Sequence, residues 1–243
     1  PSIMLVIYGP MAGISVGKLF MAAFIPGFVL SALYCGYIAI RCAIQKNLGP
    51  AVPPEEITVS FGQKSRMLFV ALAPTALIIF AVLGSIFLGI APPTEAAAVG
   101  ALGAFVCSAI HRRLDWKLIS DVAKSTIKVQ GFIMWILFSA QAFASVYMGL
   151  GAATLVTRLV ETYEIGWWTM LISIQVVWFL LGCVIDAWSI LMITLPILMP
   201  LIPIYGFDPV WLGVLYAVNT QTGYLTPPFG AMLFMMKGIA PKS

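Results

Sequence analysis

Charged residues are scarce in this chain. Asp, Glu, Lys and Arg together make up 9% of the 243 residues, whereas hydrophobic residues make up 61%. A soluble domain carries charge on about 25% of its residues, so this chain has too few charges to cover a surface in contact with water. The composition therefore excludes a soluble globular fold. The net charge of +4 is small, and the basic residues lie in loops between apolar segments. We therefore expect no binding to nucleic acid.

Residues that bind metals or form disulfides are also few. The chain has four cysteines, Cys35, Cys42, Cys107 and Cys183, and a single histidine, His111. The cysteines show no CxxC spacing and lie in or beside apolar segments, which indicates small buried side chains. We expect no organic cofactor and no cluster of metal-binding side chains.

Long apolar runs account for most of the sequence. Leu19–Ile40, Met67–Ile90 and Val129–Gly149 each reach about 20 residues, enough to cross a hydrocarbon core of about 30 Å as helix. Thr94–Ile110 is a further apolar pass. These runs predict an all-α integral membrane protein. The chain opens at Pro1 without an initiator Met or a basic leader, so we expect a fragment of a longer protein.

Two polar segments, 41–66 and 111–128, hold most of the basic residues. The positive-inside rule predicts that both are cytoplasmic loops. Two apolar passes separate them, which returns the chain to the same side and agrees with this orientation. Val129–Gly149 then carries the chain outward, and 158–164, with two acidic residues and one Arg, suits an outside loop.

The apolar stretch Trp167–Ile204 is interrupted near its middle. Its two arms, Trp167–Leu181 and Ser189–Ile204, have 15 and 16 residues, or roughly 24 Å of helix, which is shorter than the bilayer core. The connection 182–188 has no Lys or Arg, unlike most cytoplasmic loops. We therefore predict a re-entrant hairpin whose tip stops near the midplane, with two full spans as the alternative.

Asp186 lies at the predicted hairpin tip and is the only acidic residue inside an apolar stretch. A charge in hydrocarbon costs about 2.5–3.5 kcal/mol on insertion scales, so such residues face cavities, cations or partners. We interpret Asp186 as part of an ion or substrate site. The alternative is a structural carboxylate that lies at an aqueous interface or caps the helix containing Ser189.

Thr226-Pro227-Pro228 interrupts the last apolar segment, Pro209–Met236. Two prolines remove two N–H donors and leave carbonyl groups of the preceding turn without helical partners. Free carbonyls at membrane depth persist only where they line a cavity or meet an ion. Because residues 219–223 add amide and hydroxyl oxygens, we predict a broken helix that binds a hard cation such as Na⁺. A proline kink satisfied by neighbouring helices is the alternative.

Pro92-Pro93-Thr94-Glu95 precedes a helical segment in which Thr94 is predicted to be the N-cap and Glu95 to favour the helix dipole. The small residues Ala96, Gly100 and Ala104 recur every four positions and indicate close helix packing. We interpret this segment as structural.

A weak internal repeat links the two ends of the chain. Residues 1–5 and 228–233 each have a proline followed by an apolar helix that contains small residues. Two broken helices of opposite direction are typical of inverted-repeat transporters.

Several motifs resemble the large membrane (permease) subunit of tripartite ATP-independent periplasmic (TRAP) transporters, in order and spacing, over nearly the whole chain. They are Pro-Ser-Ile-Met at 1–4, Gly-Ile-Ala-Pro-Pro-Thr-Glu-Ala-Ala-Ala at 89–98, the run from Asp186 through Leu-Pro-Ile-Leu-Met-Pro at 195–200, Gly-Phe-Asp-Pro at 206–209, and the run from Asn219 through Thr-Pro-Pro-Phe-Gly at 226–230.

The resemblance implies a partial inverted-repeat, elevator-type transporter fold in the bacterial inner membrane, and Na⁺-driven uptake of an organic acid. It also implies two partners, a small membrane subunit and a periplasmic substrate-binding protein. Family logic assigns a Na⁺ site to Gly182, Asn219, Thr222 and Thr226, and places Asp186 and Ser189 beside the substrate. Ser2 would belong to the paired Na⁺ site of the first repeat.

The resemblance also sets the expected boundaries, which cover roughly the second half of such a subunit. We expect that the first hairpin is missing and that the family pattern continues beyond Met236. The segments are 1–17, the end of the first repeat and second half of a broken helix; 18–110, transmembrane helices with a cytoplasmic linker at 41–66; 111–164, a basic cytoplasmic loop, an arm and a transmembrane helix; 165–205, the re-entrant hairpin; and 206–243, the broken transmembrane helix.

Two other classes of function compete with transport. A membrane-embedded enzyme needs a second acid, a Ser/His pair or a metal cluster, and Asp186 has no obvious partner of this kind within the predicted spans. A non-coupled channel or a structural membrane subunit would not need a ligand-rich broken helix. No Arg lies within a predicted span, so the group that binds a substrate carboxylate either lies in the missing first half or consists of helix N-termini and hydroxyl groups.

Overall fold

The computed structural model describes residues 2–45, 47, 60–228 and 230–239. The regular structure in these ranges is helical throughout. The helices are α1 (Ile3–Ala12), α2 (Val16–Ile44), α3 (Phe61–Phe87), α4 (Pro93–Ile110), α5 (Trp116–Gly149), α6 (Ala152–Thr162), α7 (Trp167–Gly182), α8 (Ala187–Leu198), α9 (Leu201–Tyr205), α10 (Pro209–Leu225) and α11 (Ala231–Ile239).

Four of these helices are long and apolar enough to cross a membrane, namely Val16–Ile44, Gly62–Phe87, Pro93–Ile110 and Trp116–Gly149. Their large apolar side chains are mostly exposed, among them Phe69 and Phe80 at 78% and 75%. Exposure of this kind suits contact with lipid rather than water. The prediction of an all-α, multi-pass membrane protein is confirmed.

The predicted basic loop 111–128 is largely wrong, because α5 already begins at Trp116. Asp115 accepts a hydrogen bond from the backbone N–H of Leu118 at 2.6 Å, which is the geometry of a helix N-cap. Lysine is a good helix former, so the basic residues at 117–128 extend the helix. The predicted linker 41–66 is also shorter at both ends, since α2 continues to Ile44 and α3 begins at Phe61. Its central part, with 46 and 48–59, lies outside the described residues.

The chain divides into two compact units, Ile25–Val122 and Pro1–Phe24 with Ala123–Ser243. In the first, α3 packs against α4 through glycines. A Cβ on Gly100 would lie 3.0 Å from Val82, and one on Gly103 would lie 3.0 Å from Ile78. The predicted small-residue face is thus correct for Ala96, which is fully buried, and Gly100, but Ala104 is exposed. Gly103, and not Ala104, contacts α3 at the end of this face.

The predicted N-cap of α4, in the same unit, is wrong. Pro92 occupies the N-cap position and the helix begins at Pro93, without a side-chain cap. Proline suits the first helical position because the N–H group it lacks would have no partner there. Thr94 therefore lies inside the first turn, and Glu95 lies there too, as predicted.

The second unit is built around α1, α7, α8 and α10. Its largest fully buried side chains include Tyr8 of α1, Leu212 and Tyr216 of α10, and Ile190 and Leu195 of α8. Both buried tyrosines keep a polar partner, as buried hydroxyl groups require. Tyr8 donates to the carbonyl of Pro209 at 2.7 Å, and Tyr216 donates to the carbonyl of Ala187.

The interrupted stretch folds as two short helices, α7 with 16 residues and α8 with 12. At 1.5 Å per residue they measure about 24 Å and 18 Å, so both fall short of a bilayer core of about 30 Å. Trp178 of α7 donates to the Thr194 hydroxyl of α8 at 3.0 Å, which joins the arms. The second arm is shorter than predicted, because α8 ends at Leu198 and α9 is a separate turn.

The predicted break in the last helix is confirmed. α10 ends at Leu225 and α11 begins at Ala231, with the two prolines between them. At the other end of the chain, α1 is a separate ten-residue helix whose N-cap is Ser2, and the Ser2 hydroxyl accepts from the N–H of Met4 at 3.3 Å.

Replacing Gly213 with alanine should destabilise this unit. A Cβ at position 213 would lie 2.6 Å from Cε1 of Tyr8 and 3.1 Å from Leu19, and both side chains are fully buried. Overpacking of this kind costs about 1–3 kcal/mol. Gly131→Ala is the matched control, because nothing lies within 4 Å of its Cβ position. Thermal unfolding of the complete permease in detergent is the measurement, and equal melting temperatures for the two variants would contradict the packing.

Candidate functional site

The candidate site begins at the hairpin tip, residues 183–186, between α7 and α8. Asp186 is the N-cap of α8. Its carboxylate accepts from the Ser189 N–H at 3.1 Å and from the Ser189 hydroxyl at 2.7 Å. The structure thus joins the two residues predicted to lie beside the substrate. It also shows the capping geometry that the sequence left as the alternative for Asp186.

The hairpin tip contacts the broken helix through two glycines. A Cβ on Gly223 would lie 2.9 Å from the carbonyl oxygen of Gly182, and a Cβ on Gly182 would lie 3.3 Å from the Cα of Gly223. Only residues without side chains allow the two backbones to approach so closely. Gly182, a predicted ion ligand, therefore faces the C-terminal end of α10.

The last turn of α10 shows where its carbonyl groups find partners. The hydroxyl of Thr222 donates to the Asn219 carbonyl, and the hydroxyl of Thr226 donates to the Thr222 carbonyl, both at 2.6 Å. The Thr226 N–H donates to the Gly223 carbonyl at 3.3 Å. Threonine hydroxyls thus occupy some of the carbonyls that the sequence predicted to be free. The carbonyl of Tyr224 has no helical donor, because Pro228 occupies the position four residues on.

A very small cavity lies where the tip meets α10. Its volume is about 10 Å³, and it is lined by Gly182, Ile185, Ile190, Thr220, Gly223 and Tyr224, among others. A cavity of this size holds about one water-sized particle. Thr220 is buried, and its hydroxyl donates to the Ala217 carbonyl at 2.9 Å, which leaves its oxygen lone pairs available.

The residues around the break are divided between different faces of α10. Thr220 and Gly223 share the buried face with Gly213 and Tyr216. Thr222 is exposed and Thr226 half-buried, so their side chains belong to a neighbouring face. Of the four predicted Na⁺ ligands, the small cavity includes Gly182 but not Asn219, Thr222 or Thr226. Ser2, the predicted ligand of the paired site, caps its own helix.

Asn219 instead contacts the hairpin arm. Its Nδ2 donates to the backbone carbonyl of Gln175 at 2.9 Å and to the Gln175 Oε1 at 2.8 Å. Because the backbone carbonyl only accepts, this contact fixes the orientation of the Asn219 amide. Among the described residues, the buried Asn219 Oδ1 and Gln175 Nε2 have no hydrogen-bond partner. The Asn219 Oδ1 is thus available as an acceptor within the α7–α10 interface.

A larger cavity, of about 260 Å³, lies between α5 and α8 next to the Asp186–Ser189 pair. Ser189 and Ile193 form one side of it, and Trp135, Ser139 and Phe143 of α5 form the other. Its lining is mainly apolar with two hydroxyl groups, a composition typical of small-molecule sites.

The comparisons with known proteins decide the family. The sequence profile described as "Tripartite ATP-independent periplasmic transporter, DctM component" matches residues 1–243. The chain belongs to the DctM family. The chain is therefore related to transporter permeases, and the membrane-enzyme alternative is set aside.

Three relatives show the extent of the similarity. The C4-dicarboxylate TRAP transporter large permease protein DctM of Pseudomonas aeruginosa is 30% identical over 240 residues, which cover 98% of this chain and 55% of the relative. The 2,3-diketo-L-gulonate TRAP transporter large permease protein YiaN of Escherichia coli is 30% identical, with coverage of 99% and 55%. The ectoine TRAP transporter large permease protein TeaC of Halomonas elongata is also 30% identical, with coverage of 96% and 53%. The chain spans about half the length of these curated relatives.

Two residues of this DctM-family site, Thr220 and Gln175, did not follow from the sequence. Thr220 belongs to the polar cluster at 219–223, but the spacing of Gly213, Tyr216, Thr220 and Gly223 marks it as part of the buried face. That helical periodicity was the available signal. Gln175 carries no local signal, because its role depends on a partner 44 residues away.

Replacing Asn219 with aspartate should destabilise the contact between α7 and α10. The carboxylate would have no N–H for the Gln175 backbone carbonyl, which can only accept, and an unsatisfied buried group costs about 1–3 kcal/mol. Gln221→Glu is the matched control, because Gln221 makes only a 3.4 Å bond to the Ala217 carbonyl. Thermal unfolding of the complete permease is the measurement. Lower pH should restore part of the lost thermal stability, since a protonated carboxyl group donates one hydrogen bond. A loss of stability that does not depend on pH would contradict the assignment.

Proposed function

We propose that the chain forms part of the large permease subunit of a Na⁺-coupled secondary transporter that takes up an organic acid. The observation that carries the proposal is the glycine contact between the hairpin tip and the broken helix, with a cavity for one particle beside it. A half-depth hairpin that meets a discontinuous helix is the arrangement in which transporters hold coupling ions.

The proposed cation site lies at this contact. Na⁺ prefers oxygen ligands, and the Gly182 and Tyr224 carbonyls and the Thr220 hydroxyl belong to residues that line the cavity. Asn219, Thr222 and Thr226 supply further oxygens on the adjacent face, and we keep them in the proposed site as the family resemblance implies. Small displacements of the tip along α10 would decide how many of these oxygens reach the ion.

The electrostatics of the tip favour a cation. Asp186 lies between Ile185 and Ala187, two of the residues that line the cavity. Its negative charge lies at the N-terminus of α8, where it already satisfies the positive end of the helix dipole. A carboxylate in this position attracts a cation into the cavity and repels an anion. Asp186 therefore acts, in this proposal, on the ion more than on the substrate acid.

The substrate is proposed to bind in the cavity between α5 and α8, where Ser189 and Ser139 offer hydroxyl groups. The relatives' names include C4-dicarboxylates, 2,3-diketo-L-gulonate and ectoine, which all carry carboxylate groups. We propose a small carboxylate as the substrate class. A periplasmic binding protein would deliver it, and a small membrane subunit would complete the permease in the bacterial inner membrane.

Coupling to Na⁺ would supply enough free energy for accumulation. One positive charge moved inward gains about 2.3 kcal/mol per 100 mV of membrane potential. Because about 1.4 kcal/mol corresponds to a factor of ten in concentration, one net charge supports a gradient of roughly 40-fold at 100 mV. A channel would show no such dependence on Na⁺.

Removal of the Thr220 hydroxyl should weaken ion binding. Thr220→Val keeps the shape of the side chain and removes its oxygen, and we expect about tenfold weaker binding of radioactive sodium to the complete purified transporter, as for the loss of one ligand to a charged group. Thr226→Ala should act in the same direction. Thr154→Val, at an exposed position of α6, is the control, and equal Na⁺ affinity in Thr220→Val and Thr154→Val would remove Thr220 from the site.

Uptake tests the function itself. Vesicles with the complete transporter and its binding protein should accumulate a C4-dicarboxylate, 2,3-diketo-L-gulonate or ectoine under an imposed Na⁺ gradient but not under a K⁺ gradient. Asp186→Ala should lower the Na⁺-dependent rate by at least about tenfold, because it removes a charge from the tip. An uptake rate that does not depend on the Na⁺ gradient would refute coupling and favour the channel interpretation.

A further inference from the structure

A cavity of about 790 Å³ opens between α3, the end of α4 and the first two turns of α5. All of its lining residues belong to the unit Ile25–Val122. One wall is mainly apolar and includes Val70, Ala71 and Pro74 of α3. The opposite wall carries ionisable groups from the α4–α5 turn. The volume falls within the roughly 300–1,000 Å³ typical of small-molecule sites.

The charged wall contains groups of both signs that have no side-chain partner in the described part of the chain. Arg113, Lys117 and Asp121 line the cavity, yet none forms an ion pair or a side-chain hydrogen bond with another described residue. Two further ionisable residues are already engaged. Asp115 caps α5, and His111 Nδ1 donates to the Cys107 carbonyl at 2.8 Å. Within the described residues, two cations and one anion without ion-pair partners therefore face the same space.

The depth of the cavity follows from the charge distribution along the sequence. Residues 111–128 belong to the basic, cytoplasmic side by the positive-inside rule. Trp116, next to the charged wall, is 81% exposed, as suits a residue anchored among lipid headgroups. The apolar wall extends from this level along α3, which is long and apolar enough to cross a membrane.

We propose that this cavity binds a phosphatidylethanolamine of the cytoplasmic leaflet. The lipid phosphate accepts charge-assisted hydrogen bonds from Arg113 and Lys117, and the primary ammonium donates to Asp121. The acyl chains lie along the apolar wall. Basic pockets between membrane helices commonly hold lipid headgroups, and the unpaired Asp121 selects a headgroup that also carries a donor cation. Phosphatidylglycerol offers Asp121 only neutral hydroxyl donors, and the trimethylammonium of phosphatidylcholine has no N–H to donate.

Native mass spectrometry of the complete transporter tests the proposal, with phosphatidylethanolamine, phosphatidylglycerol and phosphatidylcholine added separately. Phosphatidylethanolamine should bind most tightly. Arg113→Gln should weaken its binding about tenfold, the effect expected for one charge-assisted hydrogen bond. Asp121→Asn should remove the preference for phosphatidylethanolamine over phosphatidylcholine while phosphate binding persists. Arg112→Gln, which neutralises an adjacent charge that does not line the cavity, is the matched control.

Three results would overturn the assignment. The first is equal binding of phosphatidylethanolamine and phosphatidylcholine to the unaltered transporter. The second is an equal loss of phosphatidylethanolamine binding in Arg112→Gln and Arg113→Gln, which would indicate that general surface charge attracts the lipid. The third is equal affinity for glycerophosphoethanolamine, the headgroup without acyl chains, because the apolar wall would then contribute nothing. Arg113 and Asp121 are exposed, and unchanged melting temperatures of the lipid-free variants will exclude misfolding as the cause of lost binding.

Discussion

The backbone contact between Gly182 and Gly223 is the constraint on which the rest of this site depends. Backbone that leaves the helical path at membrane depth must lie against protein or a cavity, since lipid offers no hydrogen-bond partner. The hairpin tip and the end of α10 both leave the helical path, and they lie against each other. Trp167 stacks on Trp211 at a centroid distance of 6.1 Å, and the Gln175–Asn219 amides hold the middle of the same interface.

The sequence predicted those features of the fold that arise from local chemistry. Arm length alone indicated a hairpin, and Pro227-Pro228 located the break to within a few residues of the end of α10. It did not predict which side chains meet at the break. Successive residues of a helix are rotated by about 100°, so Thr220 and Thr222 point in nearly opposite directions. Composition treats them alike, although one is buried and the other exposed.

The start of α5 shows a different reason for failure. Positive charge between apolar runs was interpreted as a loop, but charge sets the orientation of a segment in the membrane and does not prevent helix formation. Asp115 carried the missing local signal, since an acidic residue three positions before Leu118 can cap a helix. Its carboxylate makes that bond in the structure. Charge patterning therefore predicts membrane topology, whereas capping patterns predict helix boundaries.

Asp186 combines an observed structural role with a proposed functional one. Its carboxylate caps α8 through Ser189, and that alone explains how a charge is tolerated in an apolar hairpin. A cap needs only a hydrogen-bond acceptor, so serine or asparagine would suffice for it. The negative charge also interacts favourably with the N-terminal end of the α8 dipole. The cation proposed beside the Gly182–Gly223 contact, where the cavity has room for one particle, would use the same charge and would offset the cost of placing it in an apolar hairpin.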